Sequence, residues 1–388
     1  MRKVYLDHNA TTPAHPEVVN AMLPYYNEVY GNPSSIHQFG QEARKAVDEA
    51  REKVANFIGA KVEEIVFTSG GTEADNFAIR GVAYKNEKKG KHIITSSIEH
   101  HAVMNPCKYL GGKGFKVTFI PVDKYGIVNP DDVKKAITDE TILITIMHAN
   151  NEVGTIEPIE EIGSIAKEKG IIFHTDAVQS VGKIRVNVDG LNVDLLSLSA
   201  HKIYGPKGIG ALYIRKGTKL ESLILGGHHE RNRRAGTENV PGIVGLGKAI
   251  EIALQNMEEE NKKEVNLCDK LWNGLNQRID SIKLNGHPTK RIPNTLNISF
   301  KFVEGESIIL NLDLQGIAVS SGSACTSGSL EPSHVLSAMG VDPATAQGSV
   351  RFSLGRENTQ EDIDYVLKVL PDIVSRLRAM SPLYRKNK

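Results

Sequence analysis

Glu64-Ile65-Val66-Phe67-Thr68, followed at once by Ser69-Gly70-Gly71-Thr72 and then by a helical pattern over 73–86, reads as a strand, a glycine break and a helix. Outward from it the alternation continues. His92-Ile93-Ile94-Thr95 is a second strand and 101–110 a helix. Lys116-Val117-Thr118-Phe119-Ile120 is a third strand and 131–137 a helix. Ile142-Leu143-Ile144-Thr145-Ile146-Met147 is an apolar strand, and the helix over 160–169 stops at Gly170. Ile171-Ile172-Phe173-His174, Asp194-Leu195-Leu196-Ser197-Leu198 and Gly210-Ala211-Leu212-Tyr213-Ile214 complete the series. Short apolar strands alternating with amphipathic helices predict an α/β fold with a mostly parallel sheet covered on both faces. In such sheets ligands bind beyond the carboxyl ends of the strands, so the residues just after each strand carry the functional reading.

After Pro241 the pattern changes. A long helical stretch over about 243–279 leads to strands over 295–300 and 318–320, a helix over 307–314, a strand over 350–354 and a last helix over 360–380. This predicts a smaller α+β unit. The expected division is an N-terminal segment over 1–20 that joins the small domain, a large domain over 21–240, and a small C-terminal domain over 241–388. The 388 residues carry 47 Lys and Arg against 46 Asp and Glu, a net charge of +1. A nucleic-acid binder usually shows a basic excess, so no nucleic-acid partner is expected. The longest apolar run, 142–147, is far short of the ~20 residues of a membrane span, and residues 1–8 lack the apolar core of a signal peptide. With three cysteines, Cys107, Cys268 and Cys325, and no C-x-x-C pair, there is no disulfide framework. A cytoplasmic protein with no membrane partner is expected.

At the strand ends, Ser69-Gly70-Gly71-Thr72-Glu73 opens a helix and suits an anion, or is an ordinary helix start. It lacks the lysine of a Walker loop and the spacing of a dinucleotide fingerprint. Glu99-His100-His101 has no Cys/His cluster to make a metal site, and His100 alone reads as structural; no metal is expected. His148-Ala149-Asn150-Asn151-Glu152 follows the apolar strand, and its amides need backbone or ligand partners. Asp176 and Lys202 follow adjacent strands. They read either as a buried ion pair or as the anchors of pyridoxal phosphate, which needs a lysine for a Schiff base and a carboxylate for its ring nitrogen. Cys107 and Cys268 fit buried roles on helices. Cys325, inside Ser320-Ser321-Gly322-Ser323-Ala324-Cys325-Thr326-Ser327-Gly328-Ser329, is a candidate nucleophile.

Together these blocks resemble the cysteine desulfurases of the iron–sulfur-assembly type, within the class V aminotransferase fold family. Tyr5-Leu6-Asp7-His8-Asn9-Ala10-Thr11-Thr12-Pro13, Gly31-Asn32-Pro33-Ser34-Ser35, Thr68-Ser69-Gly70-Gly71-Thr72-Glu73, Asn150-Asn151-Glu152-Val153-Gly154, Ser199-Ala200-His201-Lys202, Ser323-Ala324-Cys325-Thr326-Ser327 and Arg351-Phe352-Ser353-Leu354-Gly355-Arg356 carry the resemblance nearly end to end. It implies the fold type I architecture of pyridoxal phosphate-dependent transferases and a homodimer. Lys202 would form the Schiff base, Asp176 would pair with the ring nitrogen and Gln179 with the phenolic oxygen, and His100 would stack on the ring and shuttle protons. Gly71, Thr72, Ser199 and His201 would hold the phosphate, and Thr237 would reach the phosphate of the other subunit. Asn151 would lie by cofactor and substrate, Arg351 would fork the substrate carboxylate, and Cys325 would be the nucleophile. The implied reaction converts L-cysteine to L-alanine and leaves a persulfide on Cys325, which passes to a sulfur-acceptor protein such as an iron–sulfur scaffold. His228 and Ala235 depart from the commoner residues of the family, beside the inter-subunit phosphate region. A selenocysteine lyase has the same anchors, a related aminotransferase would not need Cys325, and a non-catalytic assembly scaffold would need neither Cys325 nor Lys202.

Overall fold

The computed structural model describes residues 2–321 and 332–385. Its centre is a seven-stranded sheet in the order Ile65–Thr68, Gly210–Ile214, Leu195–Ser199, Ile172–Asp176, Thr141–Thr145, His92–Ser96, Lys116–Ile120. All strands run one way except Gly210–Ile214, which is antiparallel to both neighbours. The exception has a simple cause. Only residues 200–209 separate it from Leu195–Ser199, and a parallel return needs a crossover of a dozen or more residues.

Side chains alternate across this sheet with the strand period of two. Leu195, Val66 and Ile93 join one core with Phe77 and Val82 of helix Gly71–Asn86 and Cys107 and Leu110 of helix His101–Gly111. Leu196, Phe67, Ile94 and Phe173 face the other way, onto helices Gln38–Ile58, Ile159–Lys169 and the first half of Val240–Arg278. Each of these fully buried large side chains contributes about 1.5–3 kcal/mol. The helix over 159–169 ends where expected, at Gly170, with φ +64° and its N–H on the carbonyls of Ala166 and Lys167. The left-handed turn there favours glycine.

The second half of the 39-residue helix Val240–Arg278 leaves the large sheet. It packs Leu267, Cys268, Leu271 and Leu275 against an antiparallel sheet of Ile282–Asn285, Thr295–Phe300 and Ser349–Ser353. Helices Gly305–Asp313 and Gln360–Met380 close this second core. Val4–Tyr5 pairs in parallel with Ile317–Ala318. The strand expected over 318–320 is therefore shorter and earlier. After it, Ser320 switches partner and bridges to Arg351. Among the described residues no helix is long and apolar enough to cross a membrane.

Candidate active site

Five of the six co-directional strands of the large sheet, all but Lys116–Ile120, deliver their following residues to one cavity of about 320 Å3. Gly71 and Thr72 arrive on the first turn of helix Gly71–Asn86. The cap residue Gly70 has φ +150° and offers no side-chain cap, so the first-turn N–H groups keep their capacity for a ligand. A Cβ on Gly71 would lie 2.7 Å from Val178 Cγ2. Glycine is what lets the helix end approach the turn after Asp176. Ser199 and His201 flank the same end. Burial, then the charge of Lys202, lowers His201 to about 4, so its ring is neutral at physiological pH. Helix N–H groups, two hydroxyls and an imidazole form a donor set suited to a phosphate.

Lys202 follows the strand Leu195–Ser199. Its Nζ donates to the carbonyls of Asn9 and, at 2.9 Å, Ala10. Asp176 ends the neighbouring strand, and its Oδ1 accepts Val178 N–H at 2.9 Å. Burial pushes its carboxyl up to about 6, against the pull of that N–H and of Lys202. A buried carboxylate with this environment suits a cationic ring nitrogen. Behind it lies a network that sequence reading missed. His174 bonds Thr145 Oγ1 at 2.8 Å and Ser197 Oγ at 3.0 Å, and its Nε2 is 3.6 Å from Asp75 Oδ1. Burial, then the neighbouring Asp176, raises Asp75 well above the usual carboxylate range.

His100 caps helix His101–Gly111, its Nδ1 accepting Ala102 N–H at 3.1 Å. Burial, then Lys202 and the two neighbouring histidines, lowers it to about 4. The neutral ring carries its proton on Nε2, because Nδ1 is the acceptor. Arg351 enters from the small sheet. It donates to Asn151 O at 2.9 Å and pairs with Asp7 at 2.6 Å.

Gly71, Thr72, His100, Asn151, Asp176, Gln179, Ser199, His201, Lys202 and Arg351 all line this cavity. Thr237 does not. It is exposed, in a loop tied to the helix start by Arg234 and Glu73, 2.9 Å apart. Cys325 lies outside the described residues. Its chain neighbours reach the cavity: Ser320 is hydrogen-bonded to Arg351, Ser333 Oγ donates to Glu152 at 2.5 Å, and His334 lines the wall beside His101. Sequence reading also missed Asn9, Ala10, Glu152 and His334 as wall residues. Asp75 alone left a signal, an acidic residue on the apolar face of an amphipathic helix. A wider cleft of about 520 Å3 lies at the opposite strand ends, lined by Lys167, Asp194 and Arg215. It holds none of these groups.

Residues 4–366 match the aminotransferase class-V family. The chain is 60% identical over 381 residues to the cysteine desulfurase IscS of Dictyoglomus turgidum, covering 98% of this chain and 97% of the relative. It is 59% identical over 385 residues to the cysteine desulfurase IscS of Methanosarcina thermophila, covering 99% and 95%. Among solved structures, a NifS-like protein superposes with a TM-score of 0.92 at 44% identity, over 97% of this chain and 100% of that one. The structure of SspA in complex with cysteine gives 0.82 at 39%, over 92% and 100%. The cavity has the donor set that pyridoxal phosphate requires, and by fold, sequence and site chemistry this chain belongs to the class V aminotransferase family, among its pyridoxal phosphate-dependent cysteine desulfurases.

Proposed function

We propose that the cavity takes L-cysteine beside pyridoxal phosphate and that the sulfur leaves as a persulfide on Cys325. Gly71, Thr72, Ser199 and His201 hold the phosphate, Asp176 the ring nitrogen and Gln179 the phenolic oxygen, while His100 covers the ring. Bound there and linked to Lys202, the cofactor supplies an electron sink for the substrate α-carbon. Arg351 forks the substrate carboxylate and Asn151 lies beside it. Lys202, released as an amine, takes and returns the α-proton from its position under the Asn9 and Ala10 carbonyls. The Cys325 thiolate attacks the substrate sulfur. An S–S bond forms and the C–S bond breaks, its electron pair staying with carbon, which gains a proton. L-Cysteine and one enzyme thiol thus give L-alanine and one enzyme persulfide. Exchange passes that sulfur to an acceptor thiol, on a protein such as an iron–sulfur scaffold.

The observation that carries this reading is the convergence of Lys202, Asp176, His100 and Arg351 on one cavity. We read the protein as a cytoplasmic homodimer in which exposed Thr237 completes the partner's phosphate site. Residues 21–240 are the cofactor domain. Residues 241–388, joined by 1–20, are the small domain that brings Cys325. The test is mass spectrometry after incubation with cysteine. One added sulfur on the peptide containing Cys325, removed by a reducing thiol, is expected; an unmodified peptide together with full alanine formation overturns the assignment.

A further inference from the structure

Lys183 is a lysine that the reaction above does not use, and it is buried, at 8% exposure. The turns after Asp176 put it one helical turn beyond Gln179. Ser180 and Val181 N–H bond to Ala177 O, and Lys183 and Ile184 N–H bond to Ser180 O. From there Lys183 Nζ donates to Gln179 Oε1 at 3.0 Å and to Asn9 Oδ1 at 3.2 Å. Gln179 Nε2 donates to Asn9 O at 3.0 Å. Among the described residues Lys183 forms no ion pair, and its Nζ donates to two amide oxygens; burial, then the charge of Lys202, lowers it to about 7, against the pull of Glu264.

This arrangement decides which way round the Gln179 amide sits. A lysine nitrogen takes its oxygen, and a backbone carbonyl takes one of its N–H groups. The group left to face the cavity is the second N–H, a donor. The carbonyl of Asn9 is shared, because Lys202 Nζ donates to it too. Any movement of Lys202 towards a ligand disturbs that side of the amide. The bond from Lys183 does not depend on Lys202. Asn9 is fixed by the same hand: its Oδ1 accepts Lys183 and Asn294 Nδ2, and its Nδ2 donates to Thr295 Oγ1 at 2.8 Å. Burying an ammonium is costly unless its hydrogen bonds are made.

We propose that Lys183 is a positioning residue that holds the Gln179 amide with its N–H towards the cofactor's phenolic oxygen. The inference rests on the reading of Gln179 given above. The test is a double-mutant cycle of Lys183→Met and Gln179→Leu, read by the dissociation constant of pyridoxal phosphate from the protein and by the absorption maximum of the bound cofactor. The melting temperature of each cofactor-free variant reports on the fold. Each single variant is expected to weaken cofactor binding roughly two- to tenfold, the worth of one hydrogen bond, and to move the absorption maximum in the same direction. The double variant should go no further than the larger single. Wild-type affinity and spectrum in Lys183→Met, or strictly additive effects, overturn the inference while leaving Gln179 at the cofactor. If Gln179→Leu itself moves neither readout, the underlying reading of Gln179 fails, and the inference with it. Neutron diffraction of the wild-type holoenzyme needs no variant. A Lys183 deuteron on Gln179 Oε1 is expected, and a flipped amide overturns the proposal.

Discussion

The guanidinium of Arg351 lies 2.6 Å from the carboxylate of Asp7, and its Nη1 donates to Asn151 O at 2.9 Å. Arg351 stands on the small sheet, Asp7 just beyond the strand Val4–Tyr5, and Asn151 at an end of the large sheet. One side chain therefore ties three segments together at the cavity. The arginine side chain is 3% exposed and the aspartate 19%. A fork already held by a carboxylate and a carbonyl loses little freedom when a substrate carboxylate arrives. Arg351→Lys keeps the charge and loses the fork. It should raise KM for cysteine about ten- to hundredfold, as expected for hydrogen bonds to a charged group, with a smaller change in kcat. Steady-state alanine formation measures this, and an unchanged KM would remove Arg351 from the substrate carboxylate.

Lys202→Ala should give a folded, colourless protein with no turnover. The lysine donates to the Asn9 and Ala10 carbonyls, bonds that water can replace in a cavity of this size. Melting temperature should therefore change little. A variant that still shows a yellow, borohydride-reducible chromophore contradicts the assignment.

Much of this was legible in the sequence, for a physical reason. Strands buried on both faces, such as Leu195–Ser199, must be nearly continuous in apolar residues, and ligands gather at their carboxyl ends. That rule finds Asp176, Ser199 and Lys202 without any fold in hand. His100 was different. From its neighbours alone it read as structural, and only the family resemblance moved it into the site. Asn9 and Lys183 were illegible because each is an ordinary polar residue locally. Their burial comes from segments far away in the chain, as when Thr295 meets Asn9. The antiparallel strand Gly210–Ile214 was likewise hidden, since an apolar run carries no direction.

Asp176 makes a prediction about pH. In the cofactor-free chain burial raises its carboxyl to about 6, whereas an unfolded aspartate ionises near ~3.9. Between these values the folded chain holds a proton that the unfolded chain has lost, so this group's contribution to stability falls as pH rises through that window. Cofactor binding has the opposite preference, because the ring nitrogen needs the ionised form. Below about pH 6 the dissociation constant of pyridoxal phosphate should rise up to about tenfold per pH unit through Asp176. The phosphate titrates near pH ~6 as well, but equally in a variant. Asp176→Asn should lack the extra slope, bind cofactor more weakly at pH 7, and melt higher than wild type when cofactor-free. Identical slopes in the two proteins would mean that Asp176 does not meet the ring nitrogen.

The three cysteines should separate cleanly. Cys107 and Cys268 are fully buried in the two cores. Burial pushes the Cys107 thiol up to about 12 and raises that of Cys268 as well. A thiol that does not ionise is a poor nucleophile, so neither can carry the transferred sulfur. Cys107→Ala and Cys268→Ala should leave the rate nearly unchanged and cost about 1 kcal/mol or somewhat more of stability through the lost packing. Cys325→Ala should behave in the opposite way. Every group expected to hold the cofactor and the substrate is elsewhere, so the variant should stay yellow, and adding cysteine should still change its absorbance. It should release essentially no sulfide in the presence of a reducing thiol, and labelled sulfur from cysteine should not attach to the protein. Melting temperature, absorbance and sulfur label, measured on all three variants, keep packing, binding and transfer apart. Full sulfur transfer by Cys325→Ala would show that another thiol, or the solution itself, accepts the sulfur, and would leave this chain with the cofactor chemistry of its family but without an enzyme-borne persulfide at Cys325.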